Sequence, residues 1–210
     1  MFGEMRAALG ICKSVDILEH IYSLPAAEQH QAMEAVRAIE RTAMINQIAQ
    51  PGLRTLMEYL DSRGVRKGIL TRNFETPVNH LLTKYLPDTV FEPIITREFR
   101  PPKPDPAGIL HIARSWGLLH QGDASNGAPV QGEEIREAAS EERRVDASAL
   151  IMVGDSIDDM TAGRRAGAAT VLLVNDVNSH LAEHEHTDLV IQRLDDLISI
   201  LEHGFKGRDL

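Results

Sequence analysis

The sequence predicts an α/β fold, built on a doubly wound and mainly parallel sheet. Short apolar segments that have the character of strands alternate with longer segments of helical periodicity. The clearest of them, Ala149–Val153, is followed by an acidic loop and then by the helical pattern Ile157–Ala166. This alternation predicts right-handed crossovers, which place helices on both faces of the sheet.

Five strands and five helices of this layer are predicted in chain order. The strands cover Gly68–Leu70, Thr89–Ile95, Ala149–Val153, Ala169–Val174 and Asp188–Ile191. The helices cover Pro51–Arg63, Pro77–Leu86, Pro106–Trp116, Ile157–Ala166 and Leu194–His203. Helix boundaries carry the expected residues, since Pro51 suits a first turn, Asp105 an N-cap and Gly204 a C-terminal stop.

The first fifty residues do not share this alternation. Apolar residues such as Val36 and Ile39 recur at helical spacing, and no segment has the character of a strand. We therefore predict a helical cap over residues 1–50 and an α/β core over residues 51–210. Within the core, residues 117–148 are rich in glycine and charge and predict a polar insertion, with a short helix over residues 133–144.

Composition limits the classes of partner. Of the 210 residues, 43% are apolar, which allows a sizeable core, and 22 basic against 31 acidic residues give a net charge of −9. This charge argues against nucleic acid or an anionic membrane as the main partner. Cys12 is the only cysteine, so a reducing compartment and hence the cytosol is the expected location. No signal peptide or membrane-spanning segment is predicted, and no pattern indicates an oligomeric state.

The acidic loop after Val153 predicts a metal site. Asp155, Asp158 and Asp159 follow the strand directly, at the sheet edge where open α/β proteins bind ligands. Carboxylates this close repel one another unless a hard cation such as Mg²⁺ neutralises them. The alternative is structural: Asp155 and Asp159 could be a helix N-cap and an exposed acid of the first turn.

Two other strand ends carry groups that suit a phosphate. Thr71, Arg72 and Asn73 follow the first strand and offer a hydroxyl, a guanidinium and an amide, although Asn73 could equally cap the next helix. Lys103 follows the second strand and is flanked by prolines, which stiffen the backbone that holds its ammonium group. Together with Asp155, these groups are the parts that phosphoryl transfer needs.

The pattern resembles the haloacid dehalogenase-like hydrolases, most of which are Mg²⁺-dependent phosphatases. The resemblance rests on Thr71 at a strand end, on Lys103 in a Lys-Pro-x-Pro segment, and on Gly-Asp-Ser-x-x-Asp-x-x-Ala-Gly-x-x-Ala-Gly beginning at Gly154. It implies that Thr71 binds the phosphoryl group of a small phosphorylated substrate and that Lys103 balances its charge. It also implies that Asp155 coordinates Mg²⁺ with the support of Asp159.

One motif of that family is absent from the sequence. Its nucleophile belongs to Asp-x-Asp-Gly-Thr at the end of the first core strand, and the 210 residues contain no Asp-x-Asp. Our hypothesis is that the chain is an amino-terminally shortened gene model or isoform of a phosphatase-like protein that lacks this strand. The alternative is a non-catalytic or regulatory protein that binds phosphate and Mg²⁺.

A second metal site is a weaker interpretation. His180 and His184 lie four residues apart and His186 follows, but no further ligand cluster accompanies them. We expect these histidines to be solvated residues of a polar segment.

Overall fold

A computed structural model of the protein describes residues 2–120 and 145–204. Its first part is helical, as the sequence predicts, and consists of α1 (Phe2–Leu9), α2 (Ile17–Ser23) and α3 (Ala26–Ile45). These helices enclose a small core of their own, formed by Met5, Ile17, Ile21 and Val36. The division of the chain into a cap domain and a core domain stays a prediction.

The rest of the described chain alternates helices and strands, which confirms the α/β class. The helices are α4 (Leu53–Ser62), α5 (Glu75–Tyr85), α6 (Ala107–Ser115), α7 (Ile157–Ala166) and α8 (Asp196–His203). The strands are β1 (Ile69–Leu70), β2 (Ile94–Ile95), β3 (Ile151–Gly154), β4 (Ala169–Leu173) and β5 (Leu189–Ile191). Every strand pair among them is parallel.

The strands form two sheets instead of one. In the described chain β1 pairs with β2 alone, while the other three strands form a second sheet in the order β3-β4-β5. As a result β1 and β3 are edge strands. β3 is only half-buried along its length, whereas Val171 and Leu172 of the neighbouring β4 are fully buried.

The predicted second strand is too long. Thr89–Ile95 was expected, but only Ile94–Ile95 pair with β1. Pro93 has no N–H to donate to a ladder, so regular pairing begins after it. The chain still runs beside the first strand, because the N–H of Glu92 donates to the carbonyl of Lys67 at 2.8 Å.

The predicted insertion is described only at its two ends. Leu119 and Val145 form an isolated antiparallel bridge there. The helix predicted over residues 133–144 lies outside the described residues.

Helices cover both faces of the strands. On one face Ile109, Ile112 and Ala113 of α6 belong to a buried cluster with Ile95 and Ala162. The second cluster joins α4, α8 and the second sheet through Leu56, Met57, Leu197, Val171 and Ile191. The two clusters confirm the layered architecture that the alternation of elements predicts.

α7 matches its predicted bounds because its ends carry strong signals. Ser156 is the N-cap, and its side chain and that of Asp159 form a capping box. Gly167 ends the helix with φ of 84°. Inside the helix Gly163 lies against the sheet, where a Cβ would meet Thr170 Cγ2 at 2.6 Å and Met152 Cβ at 3.0 Å.

We expect Gly163→Ala to lower the free energy of unfolding by about 1–3 kcal/mol, because the added methyl group overpacks the contact between α7 and the sheet. The measurement is urea denaturation followed by circular dichroism. Gly3→Ala is the matched control, since Gly3 lies in α1 with nothing within 4 Å of an added Cβ. The control is expected to be neutral or slightly stabilising. An equal loss in both variants would contradict the packing argument.

Candidate active site

Lys103 lies between the ends of the two sheets. Its Nζ donates to the carbonyl of Leu70 at the end of β1 (2.9 Å) and to Oδ1 of Asp159 in the first turn of α7 (2.5 Å). The two side chains are only 11% and 7% exposed. The contacts with Leu70 and Asp159 therefore hold a largely buried cation beside the acidic loop.

The carboxylate of Asp159 accepts hydrogen bonds from four groups of the protein. Besides Lys103, it accepts from the hydroxyl of Ser156 at 2.7 Å, from the N–H of Ser156 at 3.1 Å and from the N–H of Asp155 at 3.2 Å. A Cβ at Gly154 would lie 2.4 Å from Asp159, so only glycine lets this carboxylate fold back onto the loop. Asp159 thus fixes the loop and Lys103 at the same time.

The structural alternative for the two acids is wrong in both parts. The N-cap of α7 is Ser156 and not Asp155, and Asp159 is buried instead of exposed. Asp155 itself is exposed at the carboxyl end of β3. Its carbonyl accepts a hydrogen bond from Nδ2 of Asn178 at 2.8 Å.

Two of the three residues that follow β1 line a pocket together with Lys103. Thr71, Arg72 and Lys103 line one small pocket together with Thr96 and Arg97. Arg72 also forms an ion pair with Asp158 at 2.9 Å, which bridges the two sheets a second time.

Asn73 does not line that pocket. Its backbone N–H donates to Oγ1 of Thr71 at 3.1 Å, which fixes the turn after β1. It does not cap the next helix either, because the N-cap of α5 is Phe74.

Two residues of the site escaped the sequence analysis. Arg97 follows β2, lines the pocket with Lys103 and lies over the ring of Phe74 at 4.8 Å. Asn178 is buried after β4 and holds the loop of Asp155. The sequence signal that could have identified both residues is their position shortly after a strand, because polar residues there lie near the ligand-binding edge of the sheet.

The carboxylate oxygens of the acidic loop suit weak binding of a hard cation. In residues 2–120 and 145–204 no group of three His, Cys, Asp or Glu is arranged to hold a metal. The exposed carboxylate of Asp155 nevertheless fits Mg²⁺, which keeps several waters and often takes one or two carboxylates plus substrate phosphates.

The histidines also lack a metal-binding arrangement. His186 is partly buried and its Nδ1 lies 2.9 Å from Oγ1 of Thr161, and its ring packs against His184 at 4.9 Å. The expectation of a solvated segment is therefore wrong for His186, which packs onto α7.

Comparison with known proteins decides the family. A family model for haloacid dehalogenase-like hydrolases matches residues 5–167, a range that contains Thr71, Lys103, Asp155 and Asp159. The chain belongs to the haloacid dehalogenase-like hydrolases. It is 39% identical over 206 residues to an uncharacterized hydrolase of Saccharomyces cerevisiae, covering 96% of this chain and 82% of the yeast protein.

Solved structures show the same fold. A predicted phosphoglycolate phosphatase from Haemophilus somnus superposes with a TM-score of 0.64 at 18% identity, covering 85% of this chain and 68% of that one. A hydrolase from Pseudomonas syringae gives 0.63 at 19% identity, covering 97% and 90%. These hydrolase matches do not favour the non-catalytic alternative. Within the described residues, no helix is long and apolar enough to cross a membrane.

We expect Lys103→Met to lower the free energy of unfolding by about 3–5 kcal/mol, because it leaves the buried charge of Asp159 without its partner. Arg72→Met is the matched control. It breaks a pair whose arginine side chain is 58% exposed, so the expected loss is below about 1 kcal/mol. Chemical denaturation of both variants measures the difference. Similar losses would show that the Lys103 pair does not depend on burial.

Proposed function

We propose that the chain carries the phosphate-binding and Mg²⁺-binding half of a phosphomonoester hydrolase site. The observation that carries the proposal is the position of Lys103, held between the end of β1 and the acidic loop after β3. The proposed substrate is a small phosphorylated molecule. The net charge of −9 fits this class, because a large polyanion would need an excess of basic residues on the surface.

Lys103 is suited to a phosphoryl oxygen. An ammonium group has three N–H donors, and two of them have partners in the described part of the chain. The third is available for a phosphoryl oxygen, close to the hydroxyl of Thr71 in the same pocket. A charge that is already fixed in a partly buried site needs no reorganisation when negative charge develops.

Arg72 supplies a second, exchangeable cation. Its pairing with Asp158 is exposed, so its guanidinium can turn to a substrate anion at small cost. We also propose that the exposed side chain of Asn73, which follows Thr71 and Arg72, contacts the substrate.

Asp155 is the proposed Mg²⁺ ligand, and Asp159 supports it by holding its backbone N–H and Lys103. The cation would supply neutralisation of the phosphate charge when bound.

The nucleophile of such a site is proposed to come from an Asp-x-Asp that the 210 residues do not contain. Attack by that aspartate would form an aspartyl-phosphate that water then hydrolyses. A cytosolic location stays a prediction from the single cysteine.

Asp155→Asn is expected to weaken Mg²⁺ binding at least about tenfold, because it removes the exposed carboxylate of the crevice. Isothermal titration of Mg²⁺ in the presence of inorganic phosphate measures this. Asp88→Asn is the matched control, since it removes the same charge from an exposed turn that follows α5. Equal affinities in the two variants would exclude Asp155 as a ligand.

We expect the 210-residue chain to hydrolyse p-nitrophenyl phosphate at least about a thousandfold more slowly than a form extended in frame to include Asp-x-Asp, because a covalent mechanism fails without its nucleophile. Steady-state rates with and without Mg²⁺ measure the difference. Equal Mg²⁺-dependent rates would mean that the 210 residues are sufficient for turnover.

A further inference from the structure

The loop after β4 carries a buried asparagine that contacts the loop of Asp155. Asn178 is 6% exposed and is the N-cap of the short 3₁₀ helix Ser179–Leu181. Its Nδ2 donates to the carbonyl of Asp155 at 2.8 Å and to the carbonyl of Leu173, the last residue of β4, at 3.0 Å. One amide group therefore joins the carboxyl ends of two neighbouring strands, because β3 and β4 pair in parallel.

The side-chain amide of Asn178 uses both of its donors and its acceptor. An amide has two N–H hydrogens and one carbonyl oxygen. The carbonyls of Asp155 and Leu173 accept from Nδ2, and Oδ1 accepts from the N–H of Asn175 at 2.6 Å. The flipped amide would place an oxygen beside two carbonyl oxygens, so only this orientation satisfies all three contacts. Neither an ionised carboxylate nor an apolar side chain could donate in its place.

The backbone of Asn178 is fixed as well. Its N–H donates to Oδ1 of Asn175 at 3.1 Å, and its carbonyl accepts from the N–H of Leu181 at 2.9 Å. The same Oδ1 of Asn175 accepts from the N–H of Val177 at 2.8 Å. These hydrogen bonds close the turn after β4, so the chain itself holds the amide of Asn178 in place.

The backbone of Asp155 is consequently held on both sides. Its N–H donates to Oδ2 of Asp159 at 3.2 Å, and its carbonyl accepts from Asn178. Rotation of either peptide plane beside Asp155 would break one of these hydrogen bonds. The two planes determine the position from which the exposed side chain of Asp155 projects. Asn178 and Asp159 together therefore fix the proposed Mg²⁺ ligand.

The contribution of Asn178 differs from that of Asp159 in two ways. Asn178 lies outside the part of the chain that the family model matches, which ends at residue 167. It is also neutral, so it holds the carbonyl of Asp155 without changing the charge at the site. A lysine or arginine could donate to the same carbonyl, but its charge would repel a bound cation.

We propose that Asn178 is a positioning residue that raises the affinity of Asp155 for Mg²⁺. It contacts the backbone of the ligand and not the cation, so it acts through Asp155. In proteins, contacts that orient a metal ligand typically change metal affinity about 10–100-fold. This role rests on the proposed function, which makes Asp155 the Mg²⁺ ligand.

The test is an NMR titration of the 210-residue chain with MgCl₂, at constant ionic strength and in the presence of inorganic phosphate. The chemical shifts of the Asp155 and Ser156 amides give the dissociation constant. Asn178→Ala is expected to raise this constant about tenfold and to speed hydrogen exchange at the two amides. Asn178→Ser is expected to change both readouts in the same direction, because one hydroxyl hydrogen cannot serve two carbonyls. It replaces the alanine variant if that variant does not fold.

Thr187→Ala is the matched control. Thr187 is fully buried, and its hydroxyl donates to the carbonyl of Leu181 at 2.9 Å, in the segment that follows Asn178. The substitution removes a buried hydrogen bond from a side chain to the backbone, as Asn178→Ala does, but the acceptor is not Asp155. Its dissociation constant for Mg²⁺ is expected to equal that of the unsubstituted chain.

A loss of Mg²⁺ affinity that is confined to the Asn178 variants supports the positioning role. An unchanged dissociation constant in these variants, with an unsubstituted chain that binds Mg²⁺, overturns the role and leaves the proposed function standing. An equal loss in Thr187→Ala also overturns it, because general destabilisation would then explain the effect. An unsubstituted chain that binds no Mg²⁺ rejects the proposed function and the positioning role together.

Discussion

The contact between Lys103 and Asp159 is the interaction on which the rest of the site depends. It joins a segment that follows β2 to the first turn of α7, and so connects two sheets that share no ladder in the described chain. Because both side chains are almost fully buried, each charge requires the other. The same carboxylate fixes the N–H groups of the acidic loop, and the pair of Arg72 with Asp158 holds the same two strand ends together a second time.

Sequence reasoning succeeded where the signals were local. α7 has its predicted bounds because Ser156 and Gly167 act at its own ends. It failed where contacts between distant residues matter. The helical spacing of Asp155 and Asp159 does not show that Asp159 is buried against Lys103, 56 residues away, while Asp155 is exposed. The split of the sheet was equally hidden, because strand patterns predict elements and not which edges pair.

The charges of the crevice explain why a cation and a phosphate belong together there. Lys103 is balanced by Asp159, and Arg72 by Asp158, so Asp155 is the carboxylate of this loop that is exposed without a cationic partner in the described residues. One carboxylate holds Mg²⁺ weakly, and the cation gains further oxygen ligands only from a bound phosphate or from another acid at the same edge.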